Sequence, residues 1–370
     1  MKITAVRLFQ TNLPYRDPEG YAWGAGNMIK VARATVVEVT TDAGLTVVGE
    51  FAPCGENYMV AHSEGVLAAA RLMAPSLLGE DPRQIYRMER LMDHLIDGHG
   101  YAKAPFDAAF WDIAGQASGQ PVWMMLGGKL CDGAPMYRVA PQNDPDALPA
   151  NLDRLRSWGY RQFQIKVGAD WVSDIDRICQ AVPLLKPGEK AMADANRGWR
   201  VDNALRVARA TRDLDYIFEQ PCYTYEECLN VRRRIDLPMK LDEVVTGIDM
   251  ARRIVNDHAA EMCCLKISNL GGLSKARRVR DFFIDHGIPV VSEDTWGGEI
   301  ATAALSHFAA STPAEMLINS TDLHNYNTRS TGKPGPHTAD GRLYASDGPG
   351  LGVVADYDSL GAPIAEFRVS

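Results

Sequence analysis

The chain has 370 residues, a formal net charge of −8 at pH 7 and a pI near 5.5. This acidic balance argues against a nucleic-acid partner, because a phosphate-binding surface needs an excess of basic residues. No apolar stretch is long enough to span a membrane, and residues 1–6 have the pattern of an edge strand, not of a signal peptide. The 7 cysteines form no CxxC pair, which favours buried thiols in a cytoplasmic protein over disulfides or zinc.

The first 128 residues predict an α+β module. Residues 2–9 and 31–50 alternate as strands of an antiparallel sheet do, and the loop between them carries Tyr15, Tyr21 and Trp23. That is more aromatic surface than a passive connector needs. The apolar spacing typical of helices then follows over 61–78, 82–96 and 101–119.

A strand–helix unit repeats from Ala134 onwards. Six short apolar runs end in polar or charged residues, 28, 25, 23, 24 and 28 positions apart: Lys166, Asp194, Glu219, Asp242, Lys266 and Asp294. Each interval fits one strand, one turn and one helix of a parallel sheet or barrel, and residues 315–319 would supply a closing strand. The tail from Thr321 has neither helical nor strand period, so we expect it to run back along the first module.

Three successive strand ends are carboxylates, namely Asp194, Glu219 and Asp242. In a barrel they would meet at one mouth, because all strand C-termini open on the same face. Three carboxylates without His or Cys suit a hard ion, and Mg²⁺ leaves positions open for substrate oxygens. Any one of these acids could instead cap the next helix. Together, however, three like charges repel one another unless a cation neutralises them.

Lys166 and Lys266 end the strands on either side of these acids. A lysine is normally a solvated surface charge, but a desolvated lysine beside a divalent cation loses basicity and can take a proton from carbon. Two such bases beside a metal-held carboxylate predict α-proton abstraction and a metal-stabilised enolate. The enolate can be reprotonated on the other face, which is epimerisation, or it can expel a β-substituent. The two lysines therefore leave both outcomes open.

Motifs along nearly the whole chain resemble the enolase superfamily, in the mandelate racemase/muconate lactonizing branch. They are the helix signature at 108–115, Asp194-Ala-Asn196, Glu219-Gln-Pro221, Leu241-Asp242-Glu243 and the run from Lys266 to Gly272. The resemblance implies an α/β fold: a modified TIM barrel, (β/α)₇β, over 129–320. An α+β capping domain over 1–128 would be completed by the C-terminal segment 321–370.

The same resemblance implies functional residues. It places Mg²⁺ on Asp194, Glu219 and Asp242, and it makes Lys166 and Lys266 the acid/base residues. Loops near 14–30 and 51–60 would cover the site and select the substrate. A homo-oligomer is the corresponding expectation for assembly.

Departures from the motifs of the branch narrow the range of possible substrates. Gln164-Ile-Lys166 replaces a Lys-x-Lys pair, and residues 293–298 contain no His, which argues against a mandelate racemase or acid-sugar dehydratase. Residues 317–322 lack the Asp-x-Asp of dipeptide epimerases. Gln-x-Lys at 164–166 together with Asp-Thr-Trp-Gly-Gly at 294–298 is most similar to cis-3-hydroxy-L-proline dehydratases and hydroxyproline-betaine 2-epimerases.

A cyclic amino acid would turn its ammonium group away from the metal. Trp296, Tyr58 and Trp23 could then offer it π-faces, although packing roles remain open for all three. Asp294 could pair with an N–H of a secondary amine.

Five further polar residues have predicted roles. Asn196 and Glu243, beside the metal ligands, are predicted to orient the metal or Lys266. His307 is predicted to be a packing residue. Arg197 and Arg200 are expected in helix-surface salt bridges, with substrate contact as the other possibility.

The sequence thus predicts an Mg²⁺-dependent lyase that acts on a small-molecule carboxylate. The first choice is dehydration of cis-3-hydroxy-L-proline to Δ1-pyrroline-2-carboxylate. The alternative is a 2-epimerase or racemase of proline betaine or hydroxyproline betaine. Another reaction of the branch, or a barrel that only binds a ligand, is less favoured.

Overall fold

The computed structural model describes residues 1–24, 26–140 and 145–369. Its N-terminal part is an antiparallel sheet covered by helices. Within the described residues the sheet has four strands, in the order Ala365–Arg368, Ile3–Pro14, Val31–Thr41 and Thr46–Phe51. The helices are Ser63–Leu77, Ile85–Leu95 and Gly100–Ser118, followed by the short Val122–Met125. Alternate strand residues such as Val6, Leu8 and Val37 pack against Phe106 and Phe110 of the third helix in one apolar core.

The third helix, Gly100–Ser118, lies between this sheet and the rest of the molecule and is buried along most of its length. It ends where the sequence predicts, at Gly119, whose φ of +70° is a left-handed C-terminal cap. Most side chains other than Asn would be strained at that position, and Pro121 follows as a second stop signal.

A parallel barrel makes up the second part. Within the described residues it has eight strands: Tyr137–Val139, Gln162–Lys166, Lys190–Asp194, Ile217–Glu219, Met239–Leu241, Met262–Lys266, Val290–Glu293 and Leu317–Ser320. Each strand pairs in parallel with the next, and a bridge between Met136 and Ser320 joins the two ends of the sheet. The barrel helices are Leu148–Ser157, Trp171–Ala181, Val201–Ala210, Tyr225–Arg232, Ile248–Asp257, Ile267–Leu270, Leu273–Asp285 and Glu299–Ala310.

The C-terminal tail returns to the first sheet, as expected. Its strand Ala365–Arg368 pairs antiparallel with Ile3–Pro14. Its sequence has neither helical nor strand period, yet it forms regular elements. It forms the short strands Gly332–Lys333, His337–Ala339, Arg342–Tyr344 and Val354–Ala355, and the helix Tyr357–Leu360. These strands are two or three residues long, too short to show an alternating pattern.

The predicted fold class, a capped (β/α)₇β barrel, is therefore confirmed, while the exact boundaries at 128/129 and 320/321 remain predictions. Two loops of the cap reach the C-terminal mouth of the barrel. The first contains the hairpin strands Tyr21–Trp23 and Asn27–Ile29, and the second bridges to the barrel through Ala52 and Trp296. Among the described residues, no helix is both long and apolar enough to cross a membrane.

Candidate active site

The predicted strand-end residues lie side by side at the barrel mouth. Lys166 is opposite Asp194 in the strand register, and Asp194 is opposite Glu219. Asp194, Glu219, Asp242 and Lys266 are all buried. The parallel register therefore brings the carboxylates and lysines of successive units together, as the repeat predicts.

Each of the three carboxylates contacts a lysine. Lys166 Nζ lies 2.6 Å from Asp194 Oδ2, and Lys266 Nζ lies 2.8 Å from Asp242 Oδ2. Glu219 Oε1 is 2.6 Å from Nζ of Lys240, a fully buried lysine. Charges taken out of water require such partners, because unpaired burial is costly.

Lys240 was missed by the sequence reasoning. It lies in the strand Met239–Leu241, two residues before Asp242, which directly follows the strand, and residues two apart in extended chain point to the same side. That spacing was the available signal.

The acids fit a divalent cation in their chemistry. As they are placed, no three His, Cys, Asp or Glu side chains of the described residues form a group that would hold a metal. However, Asp242 Oδ1 and Glu243 Oε2 are buried without a hydrogen-bond partner in the described structure. Burial, and then the charge of Asp194, raises the pKa of Glu219 to about 8. Crowded oxygens of this kind are the donor set that a hard cation stabilises.

The two lysines serve as counter-ions in the protein alone. Burial is the largest single cause and acts to lower the pKa of Lys166, but the charges of Asp194, Tyr21 and Glu219 together outweigh it, and the pKa lies well above its ordinary value. For Lys266 burial is likewise outweighed, first by Asp242. Both lysines are therefore protonated here, and a loss of basicity would require another positive charge on the acids.

Asn196 and Glu243 lie beside the acids, and both are buried. The Asn196 backbone N–H donates to Asp194 Oδ1 at 2.9 Å, and its Nδ2 donates to Glu243 Oε1 at 3.0 Å. Asn196 Oδ1 accepts from Lys166 Nζ at 3.0 Å. The lysine that Asn196 contacts is therefore Lys166, whereas the sequence suggested Lys266.

Aromatic side chains from the cap loops close the mouth. Tyr58 donates to Asp242 Oδ2 at 3.4 Å, and its ring centroid is 5.0 Å from that of Trp23. Lys266 Nζ is 5.6 Å from the Tyr58 ring, and Lys166 Nζ is 5.7 Å from the ring of Tyr21. The predicted Tyr58 and Trp23 are thus at the site, and Tyr21 joins them.

Trp296 is also buried at the mouth. Its Nε1 donates to Asn327 Oδ1 at 3.0 Å, and its ring lies 5.1 Å from that of Tyr21. A small cavity lies between these aromatic rings and Lys166.

The seventh strand ends one residue earlier than predicted. Its last residue is Glu293, which accepts from Lys266 Nζ at 3.2 Å, from Tyr137 Oη at 3.0 Å and from Cys264 Sγ at 3.2 Å. Glu293 therefore faces the barrel interior. The sequence reasoning missed it because alternate strand residues face opposite sides, so a shift of one residue exchanges the two acids.

Asp294, the predicted substrate contact, borders the same cavity. Both of its oxygens are already bonded: Ser268 N–H donates to Oδ2 at 3.1 Å, and Thr295 N–H donates to Oδ1 at 2.7 Å. The Ser268 hydroxyl also donates to Oδ1. Asp294 therefore fixes the loop after the sixth strand in this structure.

Three other residues have structural contacts. His307 is buried between Trp123 N–H and the Leu351 carbonyl, as expected of a packing residue. Arg200 forms the expected surface pair with Asp202, at 2.9 Å. Arg197 does not: its guanidinium donates to the Tyr58 carbonyl and tethers the second cap loop to the barrel.

Fold and site define a capped-barrel enzyme with acids and lysines at one mouth. Residues 3–127 match the family described as mandelate racemase / muconate lactonizing enzyme, N-terminal domain, and residues 147–359 match the enolase C-terminal domain-like family. The chain belongs to the mandelate racemase/muconate lactonizing branch of the enolase superfamily, and it is an enzyme.

Known relatives cover its full length. A cis-3-hydroxy-L-proline dehydratase from Roseibium aggregatum is 43% identical over 99% of this chain and 100% of the relative. A crystal structure of a mandelate racemase/muconate lactonizing enzyme from Roseovarius nubinhibens ISM is 73% identical, with a TM-score of 0.98 and 100% of both chains covered. Another structure from that organism, complexed with magnesium, is 34% identical, with a TM-score of 0.94, and covers 99% of this chain and 100% of the other.

Proposed function

We propose that this enzyme dehydrates cis-3-hydroxy-L-proline to Δ1-pyrroline-2-carboxylate with the help of Mg²⁺. The observation that carries the proposal is the pair of lysines on opposite flanks of the acids at the barrel mouth, Lys166, which is partly buried, and Lys266, which is buried. The full-length identity of 43% to an enzyme with this activity supports the choice of substrate.

Asp194, Glu219 and Asp242 would hold the metal ion. The fit rests on their crowding at the mouth and on the unpartnered Asp242 oxygen. When bound, Mg²⁺ would supply positive charge against the negative charge that develops on the substrate carboxylate. It would also release the lysines from their role as counter-ions of these acids.

One lysine takes the α-proton and the other assists departure of the 3-hydroxyl. As the α C–H bond breaks, its electron pair forms a Cα–Cβ double bond and the C3–O bond breaks. The hydroxyl leaves as water with a proton from the second lysine, and the enamine tautomerises to the cyclic imine. One lysine precedes the acids in strand order and the other follows them, so their ammonium groups would approach the substrate from different sides. This placement suits one lysine as the base and the other as the acid.

The aromatic side chains receive the apolar ring and the ammonium group. Tyr58 and Trp23 cover the Lys266 side of the mouth, whereas Tyr21 and Trp296 cover the Lys166 side. π-Faces attract a cation once water has been excluded. The closed cap loops would provide that exclusion.

A second candidate is 2-epimerisation of proline betaine or hydroxyproline betaine. It is favoured by the aromatic surroundings and by Asp294, whose two oxygens are already bonded to Ser268 and Thr295. A quaternary ammonium needs no hydrogen-bond acceptor and is well suited to an aromatic wall.

A proton NMR time course in D₂O with Mg²⁺ distinguishes the two candidates. We expect cis-3-hydroxy-L-proline to lose its α-proton signal and to yield the imine, and EDTA to stop the reaction. If only L- or D-proline betaine exchanges its α-proton and inverts, the epimerase replaces the dehydratase. If none of these compounds reacts with the Mg²⁺-loaded enzyme, the proposed substrate class is wrong.

A further inference from the structure

One amide oxygen at the barrel mouth joins the first cap loop to a lysine. Asn196 Oδ1 accepts the backbone N–H of Gly24 at 3.1 Å and the ammonium of Lys166 at 3.0 Å. Gly24 follows the strand Tyr21–Trp23 in the loop that covers the site, 172 positions away from Asn196. A single acceptor is thus shared by the covering loop and the proposed acid/base residue.

The surroundings fix the orientation of the Asn196 amide. Its Nδ2 donates to the Glu243 carboxylate at 3.0 Å, so its oxygen must face the two donors. The Asn196 backbone is in the left-handed region, with φ of +43°, and its N–H donates to Asp194 at 2.9 Å. Asn is among the few residues other than glycine that adopt this backbone readily. The Asn196 amide is therefore oriented with its oxygen towards both Gly24 and Lys166.

Gly24 is suited to this contact because it has no side chain. A Cβ at this position would overlap the carbonyl oxygen of Ala195 and the Cβ of Asn196. The backbone of the loop can therefore approach the turn at 195–196 only with glycine here.

Hydrogen bonds of the neighbouring residues connect Gly24 to the rest of the two cap loops. The Gly24 carbonyl accepts from Asn27 Nδ2 at 2.8 Å, and Asn27 Oδ1 accepts from Asn57 of the second cap loop at 2.8 Å. These hydrogen bonds join the first cap loop to the second, which Arg197 tethers to the barrel separately. On the other side of Gly24, the Tyr21 ring faces Lys166.

From this geometry we propose that Asn196 is a positioning residue. It couples closure of the first cap loop to the orientation of the Lys166 ammonium group. When the loop docks, the Gly24 N–H fills one lone pair of Asn196 Oδ1 and Lys166 is held at the other. When the loop opens, the Tyr21 ring leaves and Lys166 keeps only Asn196 and Asp194. The inference rests on the proposed function, since it uses Lys166 as an acid/base residue.

The coupling is reciprocal, so it can be measured either at the cap loop or at Lys166. Hydrogen–deuterium exchange of the full-length, Mg²⁺-loaded protein, followed by mass spectrometry, measures protection of the loop at 14–30. Asn196→Ala should raise exchange in this loop about fivefold to tenfold, the effect of losing one hydrogen bond. Gly24→Ala should do the same by steric exclusion. Gly26→Asn is the matched control, because open space surrounds Gly26 and Asn tolerates its φ of +73°.

The second readout is α-proton exchange of L- and D-proline betaine in D₂O. The enantiomer that uses Lys166 is the one whose exchange Lys166→Ala abolishes. For that enantiomer, Asn196→Ala and Gly24→Ala should each slow exchange about tenfold or more, and the other enantiomer should change by less than about twofold. A merely structural role would slow both equally, through poorer folding or metal binding.

The outcomes separate the two proposals. Wild-type protection of the loop in Asn196→Ala, or equal losses for both enantiomers, overturns the coupling. Should neither enantiomer nor cis-3-hydroxy-L-proline react, the proposed function fails while the hydrogen-exchange result still decides the contact. If Asn196→Ala does not fold, Gly24→Ala carries the test, because it leaves every barrel side chain intact.

Discussion

The two flanks of the barrel mouth hold their lysines differently. The Lys266 side chain is 2% exposed and lies between two carboxylates of the barrel, Asp242 and Glu293. The Lys166 side chain is 14% exposed and has one carboxylate, Asp194, together with the amide of Asn196. Charge thus fixes Lys266 within the barrel, whereas Lys166 depends on an amide that the cap loop also contacts. We infer that the Lys166 side is the one that responds to loop closure.

The largest expected effect tests whether both flanks act in catalysis. Lys266→Ala and Lys166→Ala should each lower dehydration roughly 10²–10⁴-fold, the usual contribution of a general acid or base. If the wild type exchanges both enantiomers of proline betaine in D₂O, each variant should still exchange the α-proton of one enantiomer, and the two variants should retain opposite enantiomers.

Lys186→Ala is the control for this pair, because Lys186 is an exposed lysine in a surface pair with Asp153 at 3.3 Å. NMR of the substrate signal measures all three variants. Loss of the same enantiomer in both active-site variants would contradict the assignment of one lysine to each face.

A smaller effect should come from Glu293, the carboxylate that distinguishes the Lys266 side. Glu293→Gln keeps the shape but removes a charge that lies 3.2 Å from Lys266 Nζ. We expect dehydration to fall about tenfold, because positioning of Lys266 then rests on Asp242 alone. Exchange at the Lys266 face should fall more than exchange at the Lys166 face. The exposed Glu315→Gln is the control, and an equal loss on both faces would mean that Glu293 supports the whole mouth.

Residues at strand ends were predictable because local sequence determines where they lie. A repeat of about 25 residues predicts a parallel barrel, and a parallel barrel brings its strand ends to one mouth. Lys166 and Asp194 therefore meet in the structure as the spacing predicts. Their catalytic and metal-binding roles stay predictions.

Other features of the site depend on exact register or on distant contacts. Glu293 was missed in favour of Asp294 because strand alternation is sensitive to an error of one residue. The hydrogen bond from Gly24 to Asn196 spans 172 positions and has no local pattern. It arises only when the hairpin of the cap loop packs on the barrel turn. The sequence spacing of the motifs does not predict tertiary packing of this kind.

The smallest expected effect concerns the junction that both flanks require, because the loops act only if the cap stays docked. Glu50, at the end of the cap sheet, accepts from Gly298 N–H at 2.7 Å, Ala301 N–H at 3.0 Å and the Thr331 hydroxyl at 2.9 Å. It thereby caps the barrel helix Glu299–Ala310 from the other part of the molecule. Burial is the main cause that raises the pKa of Glu50, from 4.5 to about 7.

The sign of the resulting pH dependence follows from proton linkage. Between pH 4.5 and 7 the folded state binds a proton at Glu50 more tightly than the unfolded state does, so this contribution to stability is lost as pH rises through that range. The full loss is at most about 3.5 kcal/mol, at 1.4 kcal/mol for each unit of pKa. Glu50→Gln cannot titrate and should escape the loss, although it gives up one accepted hydrogen bond. The unfolding midpoint of the wild type, measured relative to this variant, should therefore drop by a few degrees between pH 5 and pH 8. A difference that does not vary with pH would mean that Glu50 keeps its charge at the junction throughout this range, and its three donors would then suffice to hold a carboxylate there.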